Sequence, residues 1–388
     1  MSHIKRISTE HLEIGMYITT ETKGVADGKM QNEGFIQRQD TLDKLREKNL
    51  KEFFIDVSKG KDSRFAHPIL SNNVSFKPRL TLKVEREKAE RVYGEARGMV
   101  EDLLNDVKMG KAIDVAPVNE LADDINNSIL NNPNALQCLS QIREKDRYLL
   151  EHSVNVGILM SIFSTYLGFD KNTVKELTTG GLLHDIGKIR VPSEILNKAG
   201  KLTDDEWVEM KRHVVYGQEV LIKSEGISDI AKSICGLHHE RLDGTGYPMG
   251  IDESKIDVYG RMAAIVDVYD AVTASRCYHE GMAPFKAMKL LVSMTESHLD
   301  KTLVYSFIRC MSVYPVGTVI ELSNGKLGVV IEPNLELSNK PIVRIFYNMK
   351  SRHYEQCRIL NLATSKLDIE IVKTWHPDEL DICIHNFL

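Results

Sequence analysis

Two short stretches concentrate residues that can do chemistry. One is His184-Asp185-Ile186-Gly187-Lys188. The other is His238-His239-Glu240-Arg241-Leu242-Asp243-Gly244-Thr245-Gly246-Tyr247-Pro248. They place three histidines and several carboxylates in segments otherwise built to be buried. Imidazole and carboxylate together, without thiolate, form the ligand set of a metal ion that activates water.

The elements that must carry these residues are helices. His152 shares a helical stripe with Val156, Leu159 and Phe163, and a lone histidine there is more often a satisfied core residue than a ligand. His184 and Asp185 close the apolar run 177–183, where an aspartate is costly to bury unless paired or metal-bound. His213 lies close to Val214, Gly217 and Val220, and His238 and His239 end another amphipathic helix. Asp267 sits inside the apolar run 263–271 with Asp270 one turn further on, and two carboxylates on so apolar a face need a positive partner. Each residue has a plain structural explanation. Together they are seven N/O donors from five helices, too many for one ion.

Two ions sharing one carboxylate fit that number. Asp185 is the natural bridge, with His152, His184 and Asp267 on a first metal and His213, His238 and His239 on a second. Two metals about 3.5–4 Å apart hold a bridging hydroxide at neutral pH and clamp a phosphoryl oxygen. Attack on a phosphodiester also needs charge neutralisation, which Lys188, one turn beyond His184, is placed to supply. Asp185 and Lys188 are therefore the expected catalytic pair, and Lys188 and Asp270 are expected beside the substrate. The ligand mixture fits two divalent ions of iron or manganese, with zinc also compatible.

Bulk properties limit the partners. The chain has 388 residues, 42% hydrophobic and 27% charged, with a formal net charge of −5. That balance is ordinary for a soluble globular protein and gives no sign of DNA or membrane binding. An anionic substrate would need local positive charge. Cys138, Cys235, Cys277, Cys310, Cys357 and Cys383 are scattered with no CxxC pair, which fits a reducing compartment. The start has no apolar signal-like region, and the uncharged run 153–169 reads as a buried core helix. The expected location is the cytoplasm.

The expected fold is multi-domain α+β. Residues 1–60 form a small α/β unit, with strands at 12–20, 34–37 and 52–57 and a helix at 41–49. Residues 61–83, rich in Lys, Ser, Asn and Pro, read as a linker. Connecting helices occupy 84–140, and an all-α catalytic domain 141–312. Helices are expected at 114–131, 146–167, 170–187, 203–223, 227–239, 260–276, 284–298 and 299–311. Residues 313–388 form a small β-rich extension, with strands at 317–321, 327–332, 342–347 and 369–373 and a hairpin signal at Asn324-Gly325.

HDIGK and HHERLDGTGYP resemble the signature of the HD-GYP subgroup of HD-domain metal-dependent phosphohydrolases, over about residues 140–315. Every fixed position of HDxGK and HHExxDGxGYP is present. The resemblance implies the seven ligands named above, Lys188 near the phosphate, and Tyr247 and Arg276 lining a substrate groove. It implies hydrolysis of cyclic dinucleotides, chiefly cyclic di-GMP to linear pGpG and in some cases onward to GMP. The first 60 residues resemble a small domain of unknown function that precedes HD-GYP domains, either a scaffold or a surface for a protein partner. A homodimer is left open.

Two positions depart from the pattern. Tyr148 stands where some relatives carry a third-metal glutamate, and Glu151 is three residues away, so two metals are expected. Cys277 and His279 replace the family's proline and basic residue, which leaves base preference open. Alternatives are therefore a 3′,3′-cyclic GMP–AMP phosphodiesterase on the same site, and a non-catalytic dinucleotide sensor. Gly244 and Gly246 permit positive φ and close backbone approach, and Pro248 stiffens the exit. That sets Tyr247 against a base or ribose, unless the loop serves only to cap the helix and shield the metals.

Overall fold

The computed structural model describes residues 3–19, 33–47, 50, 52–69, 78–140, 148–274, 281–334, 337–365, 368–375, 377–380 and 387. The chain opens with β1 (Ile4–Ser8), β2 (Tyr17–Ile18), β3 (Gly34–Phe35), α1 (Gln39–Arg46), β4 (Glu52–Asp56) and β5 (His67–Pro68). They form a sheet of order β3-β2-β4-β1-β5, with Ile4 opposite Asp56 and Ser8 opposite Glu52. Ile7, Phe53 and Ile55 point from the sheet into a small core with Met16, Leu42 and Leu45. β1 was not expected, because the charges of Lys5 and Arg6 mask its alternation. The stretch expected as a linker contributes β5 to this sheet. It also ties the sheet to the helices, because the amide of Val258 donates to the carbonyl of Arg64 at 3.0 Å.

The helical body comprises α2 (Leu82–Lys108), α3 (Val115–Asn131), α4 (Pro133–Leu139), α5 (Tyr148–Tyr166), α6 (Lys171–Leu183), α7 (Ser193–Leu196), α8 (Asp204–Lys211), α9 (His213–Lys223), α10 (Asp229–Leu237), α11 (Val258–Thr273), α12 (Pro284–Ser293) and α13 (Lys301–Met311). Local chemistry sets the starts. Asp114, Asp170, Thr203, Ser228, Asp257 and Asp300 each accept a backbone amide of the following turn. α5 is the central helix, with residues 149–164 nearly all buried and Phe163 set edge-on to Phe307 at 5.2 Å. This accounts for the uncharged run from Ser153 onward. Among the described residues no helix is long and apolar enough to cross a membrane. The segment expected as one helix over 203–223 is broken at Arg212 into α8 and α9.

The chain ends in β6 (Val319–Leu322), β7 (Lys326–Glu332), β8 (Ile342–Asn348), β9 (His353–Asn361) and β10 (Ile371–Trp375), a sheet of order β10-β6-β7-β8-β9. The turn between β6 and β7 carries Gly325 at φ +79°, as the Asn-Gly signal requires. β9 was not expected: it is an edge strand, exposed on both faces at most positions, so it shows no apolar period.

The first sheet also touches the helical body through His11 Nε2, 2.8 Å from the carbonyl of Ser254, and Arg6, 3.4 Å from Thr302 Oγ1. Between them lies a cavity of about 410 Å³ lined by Arg6, His11, His67, Arg261 and Asp300 among others.

Candidate metal centre

Five helices converge on one buried point. His152 comes from the first turns of α5, His184 and Asp185 follow α6, His213 opens α9, His238 and His239 follow α10, and Asp267 lies in α11. The HDIGK segment turns into a 3-10 helix (Ile186–Arg190) packed on α9. Contact there is so close that a Cβ on Gly187 would lie 2.0 Å from the carbonyl oxygen of His213 and 2.3 Å from the amide of Gly217. Only glycine lets Asp185 and His213 approach in this way.

His152 Nε2 lies 3.3 Å from Asp185 Oδ2, 3.0 Å from Asp267 Oδ1 and 3.2 Å from His184 Nε2. On the other side, His213 Nε2 and His238 Nε2 lie 3.4 and 3.7 Å from Asp185 Oδ1. The two oxygens of Asp185 thus face two groups: His152 with His184, and His213 with His238 and His239. Within each group the ligand atoms lie within 4.8 Å of one another. Asp267 also spans both sides. Its Oδ1 faces His152 and His184, and its Oδ2 lies 3.6 Å from His239 Nδ1. The sequence had placed it on the first side alone.

Backbone hydrogen bonds fix which ring nitrogen faces the centre. The Nδ1 atoms of His184, His213 and His238 face the backbone carbonyls of Gly181, Met210 and Cys235 at 2.8, 2.7 and 2.9 Å. A carbonyl only accepts, so Nδ1 carries the proton and Nε2 keeps its lone pair toward the centre. Burial lowers His213 to about 3 and holds His239 well below the usual imidazole range. Burial alone would raise Asp185, but Lys188 and His184 outweigh it and hold the carboxyl well below its usual range. His213 and His239, kept neutral beside an ionised Asp185, are ready for a cation. At His184 burial is outweighed by Asp185 and Asp267, which raise it, and a metal would take the place of that proton. Asp185 Oδ1, His213 Nε2 and His238 Nε2 are buried with no hydrogen-bond partner. Three such atoms aimed at one point fit divalent metal ions, which would satisfy all of them at once.

Comparison with known protein families gives two matches. A model described as HD domain matches residues 137–303, and one described as a domain of unknown function, DUF3391, matches residues 4–118. A cyclic di-GMP phosphodiesterase of Pseudomonas aeruginosa is 35% identical over 359 residues, 90% of this chain and 86% of that protein. The chain belongs to the HD-GYP family. A 3′3′-cGAMP-specific phosphodiesterase of Vibrio cholerae is 29% identical over 50% of this chain and 45% of its own length. An HDG"Y"P protein structure from Bdellovibrio bacteriovorus covers 78% of this chain and 98% of its own at 18% identity, with a TM-score of 0.49. The N-terminal match reaches past residue 60 into α2 and the start of α3.

In this HD-GYP chain the loop after His239 is held from within. The carboxylate of buried Glu240 accepts the amides of Met249 at 2.8 Å and of Gly250 and Ile251 at 3.2 Å. Gly244 is at φ +75°, and Gly246 is needed for close approach, since a Cβ there would lie 2.4 Å from the amide of Arg241. Tyr247 is thereby laid on His239, with ring centroids 4.6 Å apart, at the rim of the centre. The Tyr247-Pro248 peptide is cis.

The other expected residues fall in different places. Lys188 Nζ is hydrogen-bonded to Asp185 Oδ2, beside the centre. Asp270, expected beside the substrate, is buried and sits 2.7 Å from His152 Nδ1, where it would orient that imidazole. It lies one turn below Asp267, so it faces the back of the imidazole rather than the opening. Arg276, Cys277 and His279 lie outside the described residues, as does the side chain of Tyr148. Glu151 is buried and faces Arg97, 3.8 Å away. The sequence reading missed the pinning role of Glu240, and also Trp207, whose ring lies edge-on to Tyr247 at 6.2 Å. The signal for Trp207 was present: a large apolar residue in a polar, capped helix six residues before a ligand.

Proposed function

We propose that the chain is a metal-dependent phosphodiesterase that hydrolyses cyclic di-GMP to linear pGpG. The observation that carries this reading is the sharing of Asp185 between two groups of imidazole donors, with buried lone pairs directed inward. His152, His184 and Asp267 would hold one ion and His213, His238 and His239 the other, with Asp185 common to both and the second oxygen of Asp267 facing His239. An all-N/O set suits iron or manganese. When bound, such ions lower the pKa of water and neutralise phosphoryl charge. The chain's own residues do the rest. Lys188 adds a positive charge beside Asp185, where a phosphate oxygen would lie. Tyr247 walls one side of the opening, and the Glu240-pinned loop holds it there. The likeness to the Pseudomonas aeruginosa cyclic di-GMP phosphodiesterase, which extends over 90% of this chain, supports cyclic di-GMP as the substrate.

The test is product analysis on protein of known metal content, with both dinucleotides in parallel. The expected result is pGpG from cyclic di-GMP by the iron- or manganese-loaded protein, with the larger kcat/KM for that substrate. A larger kcat/KM for cyclic GMP–AMP would reverse the substrate assignment. Tight binding with no linear product would make the chain a sensor.

A further inference from the structure

α8 buries none of its residues, yet it is held firmly. Thr203 and Glu206 form a capping box at its start, and Lys198 pairs with Glu206 at 2.6 Å. At its end Glu209 accepts from Tyr216 at 2.7 Å and Arg212 at 2.9 Å. The helix is fixed by polar ties at both ends; besides the Met210 carbonyl that faces His213, it has an exposed apolar side. It presents Trp207, 47% exposed, with Val208 beside it. Met249, also exposed, lies on the HD-GYP loop just beyond Tyr247 and Pro248. Trp207 stands edge-on to Tyr247, and Tyr247 lies on His239, so an aromatic shelf runs from the metal centre to solvent. Lys211 Nζ lies 6.0 Å from the Tyr247 ring centroid and adds positive charge on that side.

We propose that Trp207 is the platform on which one base of the cyclic dinucleotide stacks, with Lys211 supplying charge beside it; this rests on the phosphodiesterase reading above. A cyclic dinucleotide carries a base on either side of its phosphodiester ring. With the scissile phosphate at Asp185, one base must leave the centre along its wall. Tyr247 and then Trp207 form that wall. Stacking accepts any base, because every base has a π-face, so the shelf adds affinity more than base choice.

The experiment compares parent, Trp207→Ala and Trp207→Phe by steady-state hydrolysis of cyclic di-GMP, each with its metal content measured. A second arm uses Trp375→Phe, which leaves Trp207 as the sole tryptophan of the two, and reads fluorescence on mixing with cyclic di-GMP before turnover. Base–aromatic stacking predicts a rise in KM of about 5- to 150-fold for Trp207→Ala. It also predicts kcat within about twofold, unchanged metal content, recovery by Trp207→Phe, and quenching in the Trp375→Phe protein. An unchanged KM in Trp207→Ala, or a fall in kcat that Trp207→Phe does not recover, overturns the shelf. If the parent hydrolyses no dinucleotide, the reading of the centre fails; quenching then still supports the shelf, and no quenching overturns it.

Discussion

Asp270 Oδ2 lies 2.7 Å from Nδ1 of His152, across the interface of α5 and α11. Asp267, one turn earlier on α11, faces the other nitrogen of the same ring at 3.0 Å. One helix thus grips His152 from both sides: Asp270 fixes the tautomer, and Asp267 shares the centre into which the freed lone pair points. Partners of this kind typically hold metal affinity up by 10–100-fold. Asp270→Ala is expected to weaken binding at the first group by about that factor. Asp270→Asn should lose less, because its amide oxygen can still accept. Metal titration against a competing chelator reads both, and parent-like affinity in Asp270→Ala would remove Asp270 from the site.

Asp185 is the residue both groups share, so its loss should be felt on both sides. Asp185→Ala is expected to bring elemental analysis below one ion per chain and pGpG formation below detection. The substitution also removes the buried carboxylate to which Lys188 is hydrogen-bonded, so far-UV circular dichroism on the variant separates loss of metal from loss of fold. A metal-replete or active Asp185→Ala protein would contradict the shared-carboxylate centre.

Glu240 acts on the loop rather than on the ions. Its carboxylate is the acceptor for three backbone amides at 249–251, a charge-assisted set in a buried place. Glu240→Gln turns one acceptor into an NH₂ facing amide donors and leaves at least one of them unpaired, at about 1–3 kcal/mol. Loosening the loop should move Tyr247, so kcat/KM is expected to fall while metal content holds. A variant that loses its metal instead would place Glu240 in the metal centre itself.

How far the sequence could be read follows from what each residue does. His184, Asp185, His238 and His239 sit in contiguous motifs, and their expense in apolar segments was visible from type alone. His152, His213 and Asp267 were legible because the helical period put them on buried faces. Asp270 was read as a substrate neighbour because spacing along α11 gives the face and not the partner, which comes from α5. Trp207 was passed over because its helix shows no apolar stripe, the very property that leaves it free to present a ring. β1 and β9 escaped for a related reason, since charged or doubly exposed strands carry no period. The break at Arg212 is tertiary: α9 must start where His213 can reach Asp185, and Gly187 must pack beneath it.

The contact between the first sheet and the helical body carries a pH dependence. His67 on β5 is lowered to about 4, first by burial and then by Arg261, Arg6 and His11, with Asp300 opposing. Its Nδ1 is buried without a hydrogen-bond partner. An unfolded histidine takes its proton near its ordinary value of 6.5, while the folded one refuses it until about 4. Above pH 6.5 neither state binds the proton and stability is complete. As pH falls from 6.5 to 4 only the unfolded chain is protonated, so stability drops, by up to about 3 kcal/mol for this group, and below 4 the loss levels off. His67→Gln cannot titrate and should flatten that part of the curve. Urea unfolding midpoints between pH 7.5 and 4.5, taken on parent and variant in parallel, isolate the contribution of this histidine from that of the metal centre. Superimposable slopes for the two proteins would mean that His67 gains its proton on folding as readily as in water.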